Sequence, residues 1–232
     1  MESVPNEPLG VELIRERHQR LLDRLRRTAA AARHDPGRLR IVGVTKTHPA
    51  ALARAALTAG VTLLGESRVQ EAEPKIHAVP EAEWHFIGRL QSNKARRAVR
   101  DFAVIHSLDS LELLDRVDEL AAQEGVAPRV LLQVNLSGET SKAGMAPEKL
   151  VQITLPRAAA LVGLMTIAPM GASEGEARAV FARLRGLRDG LEQRIGMELP
   201  ELSMGMSADA ESAAAEGATL VRIGTLLFGP RG

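Results

Sequence analysis

The sequence predicts an α/β fold: a single (β/α)8 barrel of the TIM type, with an extra N-terminal helix and no C-terminal β-domain. Three observations predict it. Eight short β-rich runs alternate with Ala-, Leu- and charge-rich stretches of helical period. Gly60, Gly125, Gly196 and Gly217 fall where the intervening helices would end. No Pro/Ser-rich linker or low-complexity tract divides the 232 residues. One barrel domain commonly has roughly 200–250 residues, and a chain that long buries roughly 70–75% of its unfolded surface without needing a disulfide or metal staple.

The elements follow in order. Over residues 11–32, Ile14, Leu21, Leu22 and Leu25 recur at helical spacing against a charged face, which reads as an amphipathic helix. His34, Asp35, Pro36 and Gly37 then break it. Residues 1–34 are accordingly expected to be a helical extension packed on the barrel, within one domain spanning 1–232. Strands are expected at 40–45, 61–64, 84–87, 103–106, 130–135, 161–167, 201–203 and 219–223, with helices in the seven intervals between them.

Composition excludes several function classes. A formal net charge of +1 gives no global field for nucleic acid, a membrane surface or an acidic partner. The absence of cysteine excludes disulfides and thiolate metal sites, and fits a reducing compartment. Residues 1–8 have neither the basic nor the apolar segment of a signal peptide. No apolar run approaches the roughly 20 residues of a membrane span. The expectation is a soluble cytoplasmic protein, monomeric because no long exposed apolar stripe demands a partner. Tyrosine is absent, and the aromatic residues are four Phe and Trp84, so the core must be built from Leu, Val, Ile and Ala.

In such barrels the chemistry sits at the C-terminal ends of the strands, with phosphate often held after strands 7 and 8. The first strand ends in VGVTKT (42–47), so Lys46 closes an apolar run. Desolvation there would lower the amine's pKa and supply a neutral nucleophile for a carbonyl. The alternative is a snorkelling strand-end lysine. After the seventh strand, LSMGMSAD (202–209) leads through a glycine turn into a helix, and Ser207 is placed to N-cap it. A helix start with a hydroxyl at its cap is an anion cradle, although an ordinary cap looks the same. The eighth strand carries Arg222 within an apolar run, followed by Gly224 and Thr225, whose amides can bind phosphate oxygens. The alternative is a turn with a surface arginine. Taken with Lys46, the two halves describe a phosphorylated aldehyde held at both ends.

Other candidates rank lower. Glu66, Ser67 and Arg68 follow the second strand, either reaching the mouth or starting a helix. His85 reads as a satisfied core histidine. The basic segment 92–97 lacks interleaved aromatics and reads as a solvated helix face rather than a nucleic-acid site. Segment 137–144 carries Lys142 toward the mouth. His48, Glu66 and His106 lack a metal-ligand spacing, so no metal site is expected.

The segments VGVTKT (42–47), LGESRVQE (64–71), WHFIGRLQSNK (84–94), HSLDS (106–110), QVNLSGETSK (133–142), GLMTI (163–167), LSMGMSAD (202–209) and VRIGTLLFG (221–229) carry a resemblance. Together they resemble the pyridoxal phosphate homeostasis proteins, which are similar to the N-terminal barrel of alanine racemase. The resemblance runs from Arg40 onward. It implies pyridoxal 5′-phosphate as cofactor, held as a Schiff base on Lys46. It implies a phosphate bound by Ser207 and the Gly224 and Thr225 amides, Arg222 facing the pyridine nitrogen, and Lys142 near the phenolic oxygen. An arginine at that nitrogen keeps it unprotonated and weakens the ring as an electron sink. Two positions depart from the pattern: Ser67 stands where asparagine is usual, and His48 where lysine is frequent.

The resemblance implies a protein of intracellular cofactor homeostasis, buffering or delivering the aldehyde without strong catalysis, with no catalytic residue assigned. Its partners would be pyridoxal phosphate and, transiently, apoenzymes that require it. The alternative is an amino-acid racemase. That chemistry needs a second acid–base group, a tyrosine from a C-terminal β-domain in alanine racemases, and this sequence has no tyrosine and ends at Gly232. A third reading is an aldolase-like barrel that uses Lys46 on a phosphorylated sugar and shows no chromophore. It also wants a carboxylate partner at a strand end, and Asp109 reads instead as a helix start.

Overall fold

The structure, a computed structural model, describes residues 10–137 and 143–230. Helix α1 (Val11–Ala31) comes first and buries Ile14, Leu21, Leu25 and Ala29 on one face. Then β1 (Arg40–Val44), α2 (Ala50–Thr58), β2 (Leu63–Glu66), α3 (Val69–Ala78), β3 (Glu83–Phe86), α4 (Ala95–Asp101), β4 (Val104–Leu108) and α5 (Leu111–Glu124) alternate. The second half runs β5 (Arg129–Gln133), β6 (Ala160–Met165), α6 (Glu174–Ile195), β7 (Glu201–Ser203), α7 (Ala210–Ala215), β8 (Leu220–Ile223) and α8 (Thr225–Phe228).

The strands are parallel and close in sequence order, with β8 returning to pair with β1 through Val42 and Arg222. The predicted barrel is present. One interval departs from the expectation. Between β5 and β6 the described residues form a 3-10 helix, Pro147–Gln152, and no α-helix. Pro147 opens that short helix at its first position, where its missing donor costs nothing, and Pro156 further on closes the interval against any longer helix.

Closure relies mainly on aliphatic side chains on both faces of the strands, with Trp84 and the four Phe buried among them on the outer side. The outward faces pack against the helices in one large core that includes Leu64, Trp84, Phe86, Ile105, Leu132, Leu164 and Leu202. Inside the barrel lie two small apolar clusters on opposite walls. Val42, Leu63 and Leu220 come from β1, β2 and β8, whereas Val104, Leu131 and Met165 come from β4, β5 and β6. Gly125 and Gly196 cap α5 and α6 in the left-handed conformation, as their positions in the sequence predict. Helix α1 is tied to the barrel by polar bonds as well as by its apolar face. Arg15 donates to the Thr58 carbonyl and Arg17 to the Leu227 carbonyl, each at 3.1 Å.

Candidate functional site

Parallel closure puts the C-terminal ends of β7, β8 and β1 side by side. Lys46, Ser207, Gly224 and Thr225 all follow those ends, so the structure gathers them on one arc of one rim. Lys46 is half-buried. It sits between two threonines that are clamped from behind. Buried Lys75 on α3 donates to the Thr45 carbonyl at 2.8 Å and to Glu66 Oε1 at 2.7 Å. Thr45 Oγ1 donates to the same Glu66 oxygen at 2.6 Å. Glu71 accepts from Lys75 at 3.2 Å and also from the Thr47 amide. Thr47 has φ +69°, rare for a β-branched residue, so the carboxylate holds a strained turn just past Lys46.

That clamp disposes of one expectation. Glu66 does not reach the barrel mouth, nor does it start a helix. It ends β2 with its side chain fully buried toward α3. Burial pushes its carboxyl up, against the opposing pull of Lys75 and Thr45, and its Oε2 has no hydrogen-bond partner among the described residues.

On the other side of the arc, the helix after β7 starts two residues later than the sequence suggests. Ser207 does not cap it. Asp209 holds the cap position of α7, and its Oδ1 turns back to accept from the Met206 amide at 2.6 Å. The segment 207–209 is consumed as a turn, and the Ser207 hydroxyl is left without a protein partner among the described residues. Ser207 lines a cavity of about 250 Å³ together with Arg24, Ser173, Asp209 and Glu211. Gly224 lies against the end of β1, where an added Cβ would stand 3.6 Å from the Val44 carbonyl oxygen. Thr225 opens α8, so its amide has no intrahelical acceptor. Lys142 lies outside the described residues.

Arg222 points into the barrel. It is 4% exposed, and its Nη1 donates to Ser203 Oγ at 2.7 Å and its Nη2 to the Thr166 carbonyl at 3.0 Å. Burial lowers its pKa to about 10, so it remains a cation at neutral pH. Among the described residues it makes no ion pair.

The sequence reading missed what lies beyond Ser203. His106 Nδ1 is 2.7 Å from Ser203 Oγ, and His106 Nε2 is 2.7 Å from His85 Nδ1. His85 Nε2 is 2.9 Å from Glu83 Oε1, and Arg129 pairs with Glu83 Oε2 at 2.6 Å. Burial lowers the pKa of both imidazoles, that of His106 well below its ordinary value, so both are neutral at neutral pH. His85 is thus the satisfied core histidine that the sequence predicts, satisfied by partners that no local pattern reveals. No group of His, Asp and Glu that could hold a metal occurs among the described residues. The basic segment 92–97 is engaged with neighbouring helices: Arg96 pairs with Glu124 on α5, and Arg97 with Glu73 on α3.

Chemically, the arc offers an amine, a hydroxyl and helix-start amides at the rim, above a buried cation. This donor set suits a molecule with an electrophilic carbon, an anionic end and an acceptor that reaches into the barrel.

Comparison with known proteins bears on this site. The alanine racemase N-terminal domain family matches residues 18–232. The pyridoxal phosphate homeostasis protein of Synechocystis is 44% identical over 203 residues, covering 84% of this chain and 93% of that one. The protein of the same name from Aquifex aeolicus is 41% identical over 223 residues, covering 93% and 97%. PipY of Synechococcus elongatus, solved with and without pyridoxal phosphate, is 42% identical with a TM-score of 0.79, covering 88% of this chain and all of that one. An alanine racemase from Clostridium difficile shares the fold, at a TM-score of 0.69 and 15% identity, over 59% of its own length.

Proposed function

The chain belongs to the pyridoxal phosphate homeostasis protein family, and we propose that it carries pyridoxal 5′-phosphate as a Schiff base on Lys46 and buffers or delivers that cofactor without strong catalysis. One observation carries the reading. A buried arginine lies within the barrel, below a rim that presents an amine, a hydroxyl and helix-start amides, and among the described residues the arginine has no ion-pair partner and the hydroxyl no hydrogen-bond partner. A buried cation with no direct ion pair is costly, and an acceptor on a bound ligand offsets that cost.

The bound cofactor supplies an aldehyde carbon and an electron-withdrawing ring. Lys46 provides the amine for that carbon. Ser207 and the Gly224 and Thr225 amides take the phosphate, and Lys142 serves the phenolic side. Arg222 donates toward the ring nitrogen, and a permanent donor there keeps that nitrogen unprotonated. The weakened ring disfavours catalysis and suits a carrier. The sequence offers no tyrosine as a second acid–base group, which counts against racemisation.

The whole chain acts as one binding unit, with α1 as a packed extension. It works as a cytoplasmic monomer that meets cofactor-requiring apoenzymes transiently, with no role for nucleic acid or membranes. No described helix is long and apolar enough to cross a membrane.

The test is borohydride reduction of the protein incubated with pyridoxal phosphate, followed by peptide mapping, alongside assays with L- and D-alanine. The expected result is one reduced adduct on Lys46 and no rapid racemisation. Lys46→Ala removes the adduct and leaves the circular dichroism of the fold unchanged. An adduct on Lys142 in that variant would overturn the single-site assignment, and fast racemisation would overturn the carrier reading.

A further inference from the structure

We propose that Ser203, His106 and His85 are positioning residues acting through Arg222, joined in a chain of hydrogen bonds whose single donor direction ends on the Glu83 carboxylate. The chain fixes the guanidinium as a donor aimed at the ligand. This rests on the reading in which Arg222 faces the cofactor ring.

Its direction follows from the chemistry of the two ends. Glu83 is acceptor-only when ionised, so neutral His85 carries its proton on Nε2 and donates it across 2.9 Å. His85 Nδ1 is then an acceptor, and the only proton available over the 2.7 Å gap is the one on His106 Nε2. His106 Nδ1 must in turn accept, which it does from Ser203 Oγ at 2.7 Å. Arg222 has only donors, and its Nη1 completes the series by donating to Ser203 Oγ at 2.7 Å. The Glu83 end fixes the order and the Arg222 end is compatible with it: each bond donates away from Arg222 and toward Glu83.

The path is long-range and cannot be local packing alone. His106 is on β4 and Ser203 on β7, strands that are not neighbours, so their bond crosses the barrel interior. The polar chain runs between the two apolar clusters of the lumen. Its far end, Glu83 with Arg129, lies at the first residues of β3 and β5, on the face of the barrel opposite the rim. A carboxylate bonded directly to Arg222 would compete with the ligand for its donors. A neutral chain fixes the same guanidinium and leaves its charge available.

The experiment uses the full chain labelled at histidine, with heteronuclear resonance spectra recorded before and after loading with pyridoxal phosphate. The expected spectra place the proton of both His85 and His106 on Nε2, with both rings neutral. Ser203→Ala removes one of the two acceptors of Arg222, leaving the Thr166 carbonyl, and removes the donor to His106. It is expected to keep the borohydride adduct on Lys46, shift the absorption band of the bound cofactor, and speed cofactor release about tenfold, the scale of one charge-assisted hydrogen bond. Ser203→Thr, which keeps the hydroxyl, is expected to restore the band and the release rate. A proton on Nδ1 of either ring would overturn the proposal, and so would a Ser203→Ala protein with the parent's spectrum and release rate. Lack of any adduct in the unmutated chain overturns the cofactor reading together with this one. An adduct accompanied by the wrong tautomer overturns only the chain.

Discussion

At the scale of the residue, Lys75 is the side chain on which the Lys46 turn depends. It is 3% exposed and donates to Glu66 Oε1, Glu71 and the Thr45 carbonyl at once. Removing one partner of a buried ion pair leaves the other charge uncompensated, at a cost of about 3–5 kcal/mol, whereas replacing both is far milder. Lys75→Met is therefore expected to lose about 3–5 kcal/mol in urea unfolding, and adding Glu66→Gln to recover a large part of that. Recovery of nothing in the double variant would show that Lys75 matters only for packing. Some of the residue-level chemistry was legible in the sequence and some was not. Lys46 and Arg222 stood out because a cation at the end of, or within, an apolar strand has to be explained. Lys75 did not, because on a polar stretch of α3 it reads as a surface lysine until β1 and β2 are packed behind it. His106 and Ser203 were hidden for a different reason. Their partnership exists only across the closed lumen, and no sequence spacing encodes a contact between β4 and β7.

At the scale of the element, periodicity placed every strand, and pairing moved some of the ends. The run predicted at 61–64 is a strand at Leu63–Glu66, because Gly65 and Glu66 are not a turn: they pair with His85 and Phe86. Gly65 is small for a packing reason, since a Cβ there would sit 2.9 Å from Val42 Cγ1 and 3.3 Å from Ile87 Cδ1. The strand predicted at 103–106 extends to Leu108. The Ser207 cap failed because Asp209, also a good capping residue, lies two positions further on and closes the turn on the Met206 amide. Caps that face no competitor are better tests of local physics. The capping box of α6 has the Ser173 hydroxyl accepting from the Glu176 amide at 3.3 Å, with Glu176 Oε2 accepting from the Ser173 amide at 2.8 Å. Ser173→Ala is expected to cost about 1 kcal/mol, the usual value of an N-cap, and Ser173→Asp close to nothing. Thermal unfolding of the two variants side by side measures the difference.

For the whole molecule, closure has an electrostatic consequence, because it forces the side chains at the strand starts into a shared end of the lumen. There Arg40 pairs with Glu201, and Arg129 with Glu83. Glu83 is drawn down to about 2 by the hydrogen bond from His85, by the charge that ring takes up in acid and then by Arg129, against its partial burial. A carboxyl whose pKa is depressed by folding stabilises the native state above its unfolded value of about 4.5, and that contribution fades as pH falls toward about 2. The full shift would amount to about 3 kcal/mol, but Glu83 is a third exposed, and solvent screening reduces this to about 1–2 kcal/mol. Protonating Glu83 gives it a donor and ends its restriction to accepting, so it no longer fixes the direction of the bonds through His85 and His106, and acid acts on the chain leading to Arg222 as well as on global stability. Unfolding free energy is therefore expected to drop as pH falls from about 4.5 to about 2, with Glu83→Gln showing a shallower decline across that window and a lower plateau at neutral pH. Denaturant titrations of both proteins at several pH values measure the slopes. Parallel slopes would mean that other carboxylates, such as Asp118, which accepts from the amides of Arg157, Ala158 and Ala159, carry the acid sensitivity instead.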